Sequence, residues 1–288
     1  MKRFHKNKRD AFSMIELIFV IVVLGVVASL GSEMIAKVYK SYILQRAQHR
    51  AEIKTELAAL QIANRLAAAI PGTVVRKDAT GSSPTGGGTV EEITEPMSLP
   101  SNSYTVLQWV GADMDSFNSI GSTADRLPGW SGFIDLNTSD STHLDSKGSK
   151  LSRARTIITN LNGGTFPGGF NPAVFFPDDP NAHLVNNLGD NDTRLTLLSP
   201  APRIVEHYKL AWTSYALSVE NGDLYLYYSF DPIPGWAIPN GTPKSLLLKN
   251  VTVFKFRGDG QTIRFKICAS EDIGEDCNIS VCKEKAVF

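Results

Sequence analysis

The chain has 288 residues, of which 42% are hydrophobic and 20% are charged, so it is long and apolar enough to bury a substantial core. Its 29 basic and 29 acidic side chains give a formal net charge of zero, which argues against direct nucleic-acid binding. The charge is uneven, because residues 1–11 contain five basic side chains and one acidic side chain, a net of +4.

The first element is an apolar run over residues 12–30, whose 19 residues include one ionisable side chain, Glu16. A helix of that length spans about 28 Å, close to the hydrocarbon thickness of a bilayer. We therefore predict a transmembrane helix over residues 12–32. The positive-inside rule keeps the basic cluster in the cytoplasm and sends the rest of the chain outward. The alternative is a secretory signal peptide cleaved near residues 28–30.

Glu16 distinguishes the two interpretations, because a carboxylate at mid-membrane costs about 2.5–3.5 kcal/mol and therefore indicates a function. Residues 9–17, RDAFSMIEL, resemble the cleavage and methylation motif of type IV prepilins. The resemblance implies a cytoplasmic leader over residues 1–11, cleavage by a prepilin peptidase between Ala11 and Phe12, and N-methylation of Phe12. It also implies that Glu16 acts in assembly. Ala11 stands where the family usually has glycine, so slower processing is expected.

The chemistry of this arrangement can be stated from the residues alone. Cleavage before Phe12 would free a positively charged amine at the depth of Glu16. Opposite charges ~4 Å apart attract by about 4 kcal/mol at an effective dielectric constant near 20, which offsets the insertion cost of the acid. Since Phe12 and Glu16 are four residues apart on a helix, the pair can form within one chain or between neighbouring chains.

Residues 33–70 continue the helix, because they contain no glycine or proline and many strong helix formers. Pro71-Gly72 predicts the end, so residues 12–70 read as one helix whose second half is amphipathic. A coiled coil is the alternative, although no heptad pattern persists. The stripe predicted to face the rest of the protein consists of apolar residues at spacings of three and four: Ile53, Leu57, Leu60, Ala63, Ala67 and Ile70.

The remaining residues, 71–288, predict a β-rich head with long loop insertions, including a flexible loop over residues 78–103 that is rich in glycine, serine and threonine. Turn residues between short apolar runs predict antiparallel hairpins at Asn221-Gly222 and near Gly260. The candidate strands are 104–110, 132–136, 173–176, 208–219, 223–230, 245–257, 262–268 and 279–287.

The predicted fold class is α+β, with a long N-terminal helix packed on an antiparallel sheet, and this is the pilin architecture. Residues 57–75 and 246–257 resemble the larger minor pseudopilins of type II secretion, particularly the J-type. The resemblance implies a structural minor subunit of a type II secretion, type IV pilus or DNA-uptake filament. Its partners would be the prepilin peptidase, other pilin subunits and an inner-membrane assembly platform, with the head in the periplasm. The alternative is a membrane-anchored binding module at a filament tip that contacts a secreted substrate, DNA or a surface.

Three cysteines, Cys268, Cys277 and Cys282, lie close together near the C-terminal end of the sequence. In a periplasmic domain we expect one oxidised pair and one thiol. Cys268 would pair with either Cys277 or Cys282, and three reduced cysteines are the alternative. A zinc site is not predicted, because the spacing lacks a CxxC pair and no histidine lies nearby in the sequence.

No arrangement of residues predicts catalysis, since the histidines are scattered and no nucleophile motif accompanies them. We therefore predict no enzymatic activity and no cofactor. Calcium is the one open ligand, because Asp178-Asp179 and Asp190-Asn191-Asp192 supply carboxylates in loops. Neither segment has the EF-hand spacing, so solvated turns are the favoured interpretation.

Overall fold

The computed structural model describes residues 13–78, 88–121, 126–166, 170–272 and 278–288. These residues form one long N-terminal helix and antiparallel β-sheets, which confirms the α+β class. The helix α1, Met14–Ala67, has 54 residues and is about 81 Å long. It continues without interruption through Gly25 and Gly31.

The helix predicted to reach residue 70 ends at Ala67, because the chain is then bonded to a neighbouring strand. The Ala68 N–H closes the last turn on the carbonyl of Arg65 at 3.2 Å. The Ile70 N–H donates instead to the carbonyl of Val110 at 2.9 Å, and the Ala112 N–H donates to the carbonyl of Ala68 at 2.9 Å. These bonds fix the end of the helix to the head.

The β-strands of the described residues are numbered along the chain. They are β1 Val75–Asp78, β2 Val90–Glu92, β3 Tyr104–Gly111, β4 His143–Asp145, β5 Ala173–Phe175, β6 His183–Asn186, β7 Arg194–Leu197, β8 Lys209–Ala211, β9 Thr213–Glu220, β10 Asp223–Tyr227, β11 Lys244–Leu248, β12 Val251–Asp259, β13 Thr262–Asp272 and β14 Asn278–Val287. They form a six-stranded sheet β11-β10-β9-β3-β1-β2, a three-stranded sheet β12-β13-β14 and a five-stranded sheet β4-β7-β6-β5-β8.

The second half of α1 packs across β13 and β14 and also contributes to the core beneath the six-stranded sheet. The predicted contact stripe is wrong in its main residues, since Ile53, Leu57 and Leu60 are 46%, 54% and 41% exposed. The helix is apolar on two sides, and the head packs on the side whose small side chains allow close approach. The buried helix residues are Ala51, Thr55, Ala58, Ala59, Ile62 and Leu66.

Residues 112–212 are an insertion between two neighbouring strands of the six-stranded sheet. The flanking strands β3 and β9 pair directly, with Gly111 opposite Thr213. The insertion contains the five-stranded sheet, the helices α2, Met114–Phe117, and α3, Leu151–Leu161, and a core of its own. The helix α3 was not predicted from the sequence, although the buried residues of α3, Leu151, Ala154 and Ile158, recur at helical spacing.

Three predicted strands and one predicted loop differ from the observed structure. The loop over residues 78–103 contains β2, and the strand over residues 132–136 is reduced to an isolated bridge between Phe133 and His207. The strand over residues 245–257 is two strands in different sheets, because Asn250 adopts a left-handed φ of 54° and turns the chain. The strand over residues 208–219 divides in the same way into β8 and β9.

The hairpin predicted at Asn221-Gly222 joins β9 and β10. Both turn residues have positive φ, 51° and 83°, which is what a type I′ turn requires. On its other side, β10 pairs with β11, which is an edge strand of the six-stranded sheet.

Candidate functional site

The first turn of α1 contains Glu16 and is capped by Ser13. The Ser13 side chain accepts a hydrogen bond from the Glu16 N–H at 3.3 Å, and the Ser13 backbone is extended, as an N-cap requires. Ser13 and Glu16 thus have the S-x-x-E spacing of a capping box. This cap adds to the sequence-based predictions, although the spacing that signals it is visible in the sequence. It gives Glu16 a second, local role, because a carboxylate in the first turn is stabilised by the helix dipole.

We call residues 14–50 of α1 the stem, because they precede the buried residues that hold the helix to the head. Its side chains are exposed, except that Gly31 and Ala47 are half-buried, and Phe19 is 70% exposed. So much contiguous apolar surface requires a lipid or protein covering. By length and composition, α1 is the helix in the described part of the chain that could cross a membrane, as a span or as a signal anchor.

Residues 33–42, which follow the apolar run of the stem, include tyrosine and lysine side chains like those found at membrane interfaces. Tyr39 and Tyr42 are 64% and 57% exposed, and Lys37 and Lys40 lie beside them in the sequence. The Lys37 ammonium pairs with Glu33 at 2.7 Å. Tyrosine and lysine directly after an apolar span are typical of the boundary between lipid and water.

Ion pairs link the C-terminal part of α1 to the head. Lys54 pairs with Glu271 of β13 at 3.1 Å, and Glu56 pairs with Lys285 of β14 at 2.6 Å. The hydrogen bond from Lys285 lowers the pKa of the Glu56 carboxyl, with a smaller contribution from Lys283. The helix is therefore held by charges on the same two strands that bury its alanine face.

The predicted processing residues, Ala11 and Phe12, lie outside the described residues, as does Cys277. Cleavage and methylation therefore stay predictions. The structure joins Cys268 to Cys282 in a disulfide between directly opposite residues of β13 and β14, with the Cα atoms 4.0 Å apart. Of the two pairings that the sequence leaves open, this is the one that staples the strands under α1.

We expect thiol labelling of the denatured, non-reduced protein to modify one cysteine per chain, and Cys277 to be the labelled residue. The reason is that the Cys268–Cys282 disulfide leaves one thiol. Peptide mapping by mass spectrometry identifies the labelled position. A Cys277→Ser variant is the control and should take up no label without reductant. Labelling of three cysteines in the parent protein would contradict the disulfide.

The acidic loops considered for calcium are bonded to other side chains of the same chain. Asp179 lies 3.0 Å from His183, and Asp192 accepts from Lys150 at 2.6 Å. Hydrogen bonds from Lys150 and Ser152 lower the pKa of Asp192 to about 2. Within the described ranges, no group of three or more His, Cys, Asp or Glu side chains is arranged to hold a metal ion. Calcium binding at these loops remains an expectation.

A cavity of about 570 Å³ lies where the insertion meets the end of α1. Its lining includes the buried rings of Trp130 and Tyr208, which are 5.6 Å apart, and the partly exposed side chains of Met114 and Phe117. Apolar and aromatic walls with few polar groups are typical of ligand pockets of this size. Of the residues considered for calcium, Asp178 is part of the lining of this cavity.

Comparison with protein-family models, with curated proteins and with solved structures finds no match for this chain. The stem, its capped first turn and the insertion are therefore the observations from which function can be argued.

Proposed function

We propose that this chain is a pilin-like structural subunit, a minor pseudopilin or pilin of a type II secretion, type IV pilus or DNA-uptake filament. The observation that carries the proposal is the continuity of α1, which passes from a largely exposed stem with a long apolar run into the helix that packs on the head. Signal-peptide cleavage near residues 28–30 would cut this helix in its apolar part. A subunit anchored in the inner membrane, with its head in the periplasm, would keep the helix whole.

The second apolar side of α1 supports the same function. Ile53, Leu57 and Leu60 form a further exposed apolar patch on α1, beyond the mostly polar residues 45–50, although the head already has its own contact side. In a filament, neighbouring helices would cover this surface. Burying such side chains contributes about 25 cal/mol per Å² of apolar area, so the side is a source of assembly free energy.

Glu16 would specify how the subunits join. After cleavage by a prepilin peptidase, the amine of Phe12 would be a partner for Glu16 in the same chain or in a neighbour. The remaining partners would be other pilin subunits and an inner-membrane assembly platform. The role is structural, so the proposal includes neither catalysis nor a cofactor.

Processing tests the proposal directly. We expect the mature protein extracted from membranes to begin at Phe12 and to carry an N-methyl group, because residues 9–17 match the prepilin pattern. Intact-mass and N-terminal peptide measurements detect both. An Ala11→Gly variant is the matched control and should be cleaved at the same bond, faster than the parent. A mature chain that begins near Ser29 would favour the signal-peptide interpretation instead.

The alternative, a binding module at a filament tip, is favoured by one observation on the insertion. That function requires exposed aromatic or apolar side chains away from the stem, and Met114, Phe117 and Phe133 are 39%, 37% and 38% exposed. Met114 and Phe117 also line the aromatic cavity. The two candidates differ in what the insertion does: polar replacements of these residues would leave a purely structural subunit active.

A further inference from the structure

A second groove, separate from the aromatic cavity, lies between α1 and the edge strand β11 and has a volume of about 490 Å³. Leu57 and Ala58 contribute to its helix side. Residues 246–250, at and after the end of β11, form a second wall, and residues 269–272 of β13, which include two acidic side chains, form a third. Thr55 also lines the groove; it is fully buried, and its hydroxyl has no hydrogen-bond partner among the described residues. A buried hydroxyl without a partner is locally destabilising.

The register of β11 shows which of its backbone groups are open. The Tyr228 N–H donates to the carbonyl of Pro243 at 3.1 Å, and Tyr225 lies opposite Leu246 in the same register. Hydrogen-bonded and non-hydrogen-bonded pairs alternate along an antiparallel ladder. The N–H and C=O groups of Lys244 and Leu246 therefore point away from β10. On that side, the described residues provide no further strand, because β11 ends its sheet.

One common protection of an edge strand, a free lysine within the strand, is missing here. Lysines often guard exposed edge strands, but the Lys244 ammonium is bonded to Glu220 of β9 at 2.6 Å. Leu246 and, across the groove, Leu57 are 43% and 54% exposed. Lys249, at the end of the edge, is exposed and has no acidic partner among the described residues. The surface thus combines an open backbone edge, apolar side chains and one available positive charge.

We propose that this groove binds an extended segment of a partner polypeptide, which adds to β11 as a further strand. Its backbone bonds to Lys244 and Leu246, and its alternate apolar side chains lie over Leu57. An acidic residue of the segment pairs with Lys249. The occupant is a polypeptide because the open donors and acceptors repeat with the period of a strand, which a lipid or a sugar does not match. The groove is separate from the stem, whose continuity with the packed part of α1 carries the filament proposal, although Leu57 also belongs to the surface that neighbouring helices would cover.

The test uses the full-length protein in lipid nanodiscs and a fluorescent peptide probe. The probe alternates valine and threonine over about eight residues and ends in aspartate, so that one face is apolar and one end is acidic. Two further probes have the same side chains, but each carries N-methyl groups on a different alternate set of residues. Strand addition at one edge uses one set of amides, so we expect one N-methylated probe to bind at least about tenfold more weakly. The other should bind like the parent.

Hydrogen exchange locates the site in the same sample, because the bound probe should slow exchange at the amides of Lys244 and Leu246. A Leu57→Ser variant should bind the probe about tenfold more weakly. Leu161→Ser, at a similarly exposed leucine of α3 in the insertion, should bind it normally. The proposal is overturned if the probe does not bind, if both N-methylated probes bind equally well, or if protection appears only elsewhere. Non-specific adsorption of the probe to lipid would make both N-methylated probes bind equally well.

Discussion

Replacement of Glu16 by valine should leave leader cleavage intact and abolish incorporation of the protein into filaments. Cleavage should survive because Ala11 and Phe12, which flank the bond predicted to be cut, are unchanged. Membrane insertion should improve by about 2.5–3.5 kcal/mol, the cost of a mid-membrane carboxylate. Assembly should fail because the amine of Phe12 would lose its buried partner, and breaking a buried ion pair costs about 3–5 kcal/mol. The measurement compares the cleaved fraction with recovery in sheared or cross-linked filament fractions.

The capped first turn makes a matched control necessary, since Glu16 also takes part in a capping arrangement with Ser13. A Ser13→Ala variant removes the cap, at a cost of about 0.5–2 kcal/mol, and keeps the carboxylate. It should enter filaments nearly normally. Glu16→Gln keeps the shape of the side chain and removes the charge, so it should fail as Glu16→Val does. Failure of Ser13→Ala alongside incorporation of Glu16→Gln would mean that the cap, rather than the charge, is what assembly needs.

The features that could be predicted from the sequence are those set by neighbouring residues. The hairpin at Asn221-Gly222 follows from two residues that tolerate positive φ between β-type runs. The long helix follows from a run without glycine or proline over residues 33–70. Glu16 stands out because an acid inside an apolar run is costly wherever that run is placed.

The features that could not be predicted depend on which surfaces meet in space. The periodicity of α1 fits two apolar sides. Packing against the head selects the flat side that contains Ala58 and Ala59. The insertion could not be predicted either, because no local sequence pattern shows that β3 and β9 become neighbours. The groove beside β11 depends on both outcomes. The exposure of Leu57 and the open edge at Leu246 are consequences of packing.

Replacement of Asp113 by asparagine should stabilise the head at neutral pH and remove part of its pH dependence. Asp113 is 2% exposed, one carboxylate oxygen accepts the Ser116 N–H at 3.1 Å, and the other has no partner among the described residues. Burial raises the pKa of this carboxyl from 3.8 to about 6. The folded protein therefore holds a proton that the unfolded chain has already lost between these pH values. The contribution of Asp113 to the free energy of unfolding is full below pH ~4 and falls by about 3 kcal/mol as pH rises past ~6.

Asparagine keeps the carbonyl oxygen that caps Ser116 and cannot ionise, so its stability should not fall over this range. The free energy of unfolding, measured by denaturant titration of the full-length protein at several pH values, should differ most from the parent near pH 7 and converge near pH 4. Asp115→Asn is the matched control, because its carboxylate is exposed on the same short helix and its profile should follow the parent closely. Parallel profiles for Asp113→Asn and the parent from pH 4 to 7 would show that Asp113 is ionised in the folded protein at no cost, contrary to its burial.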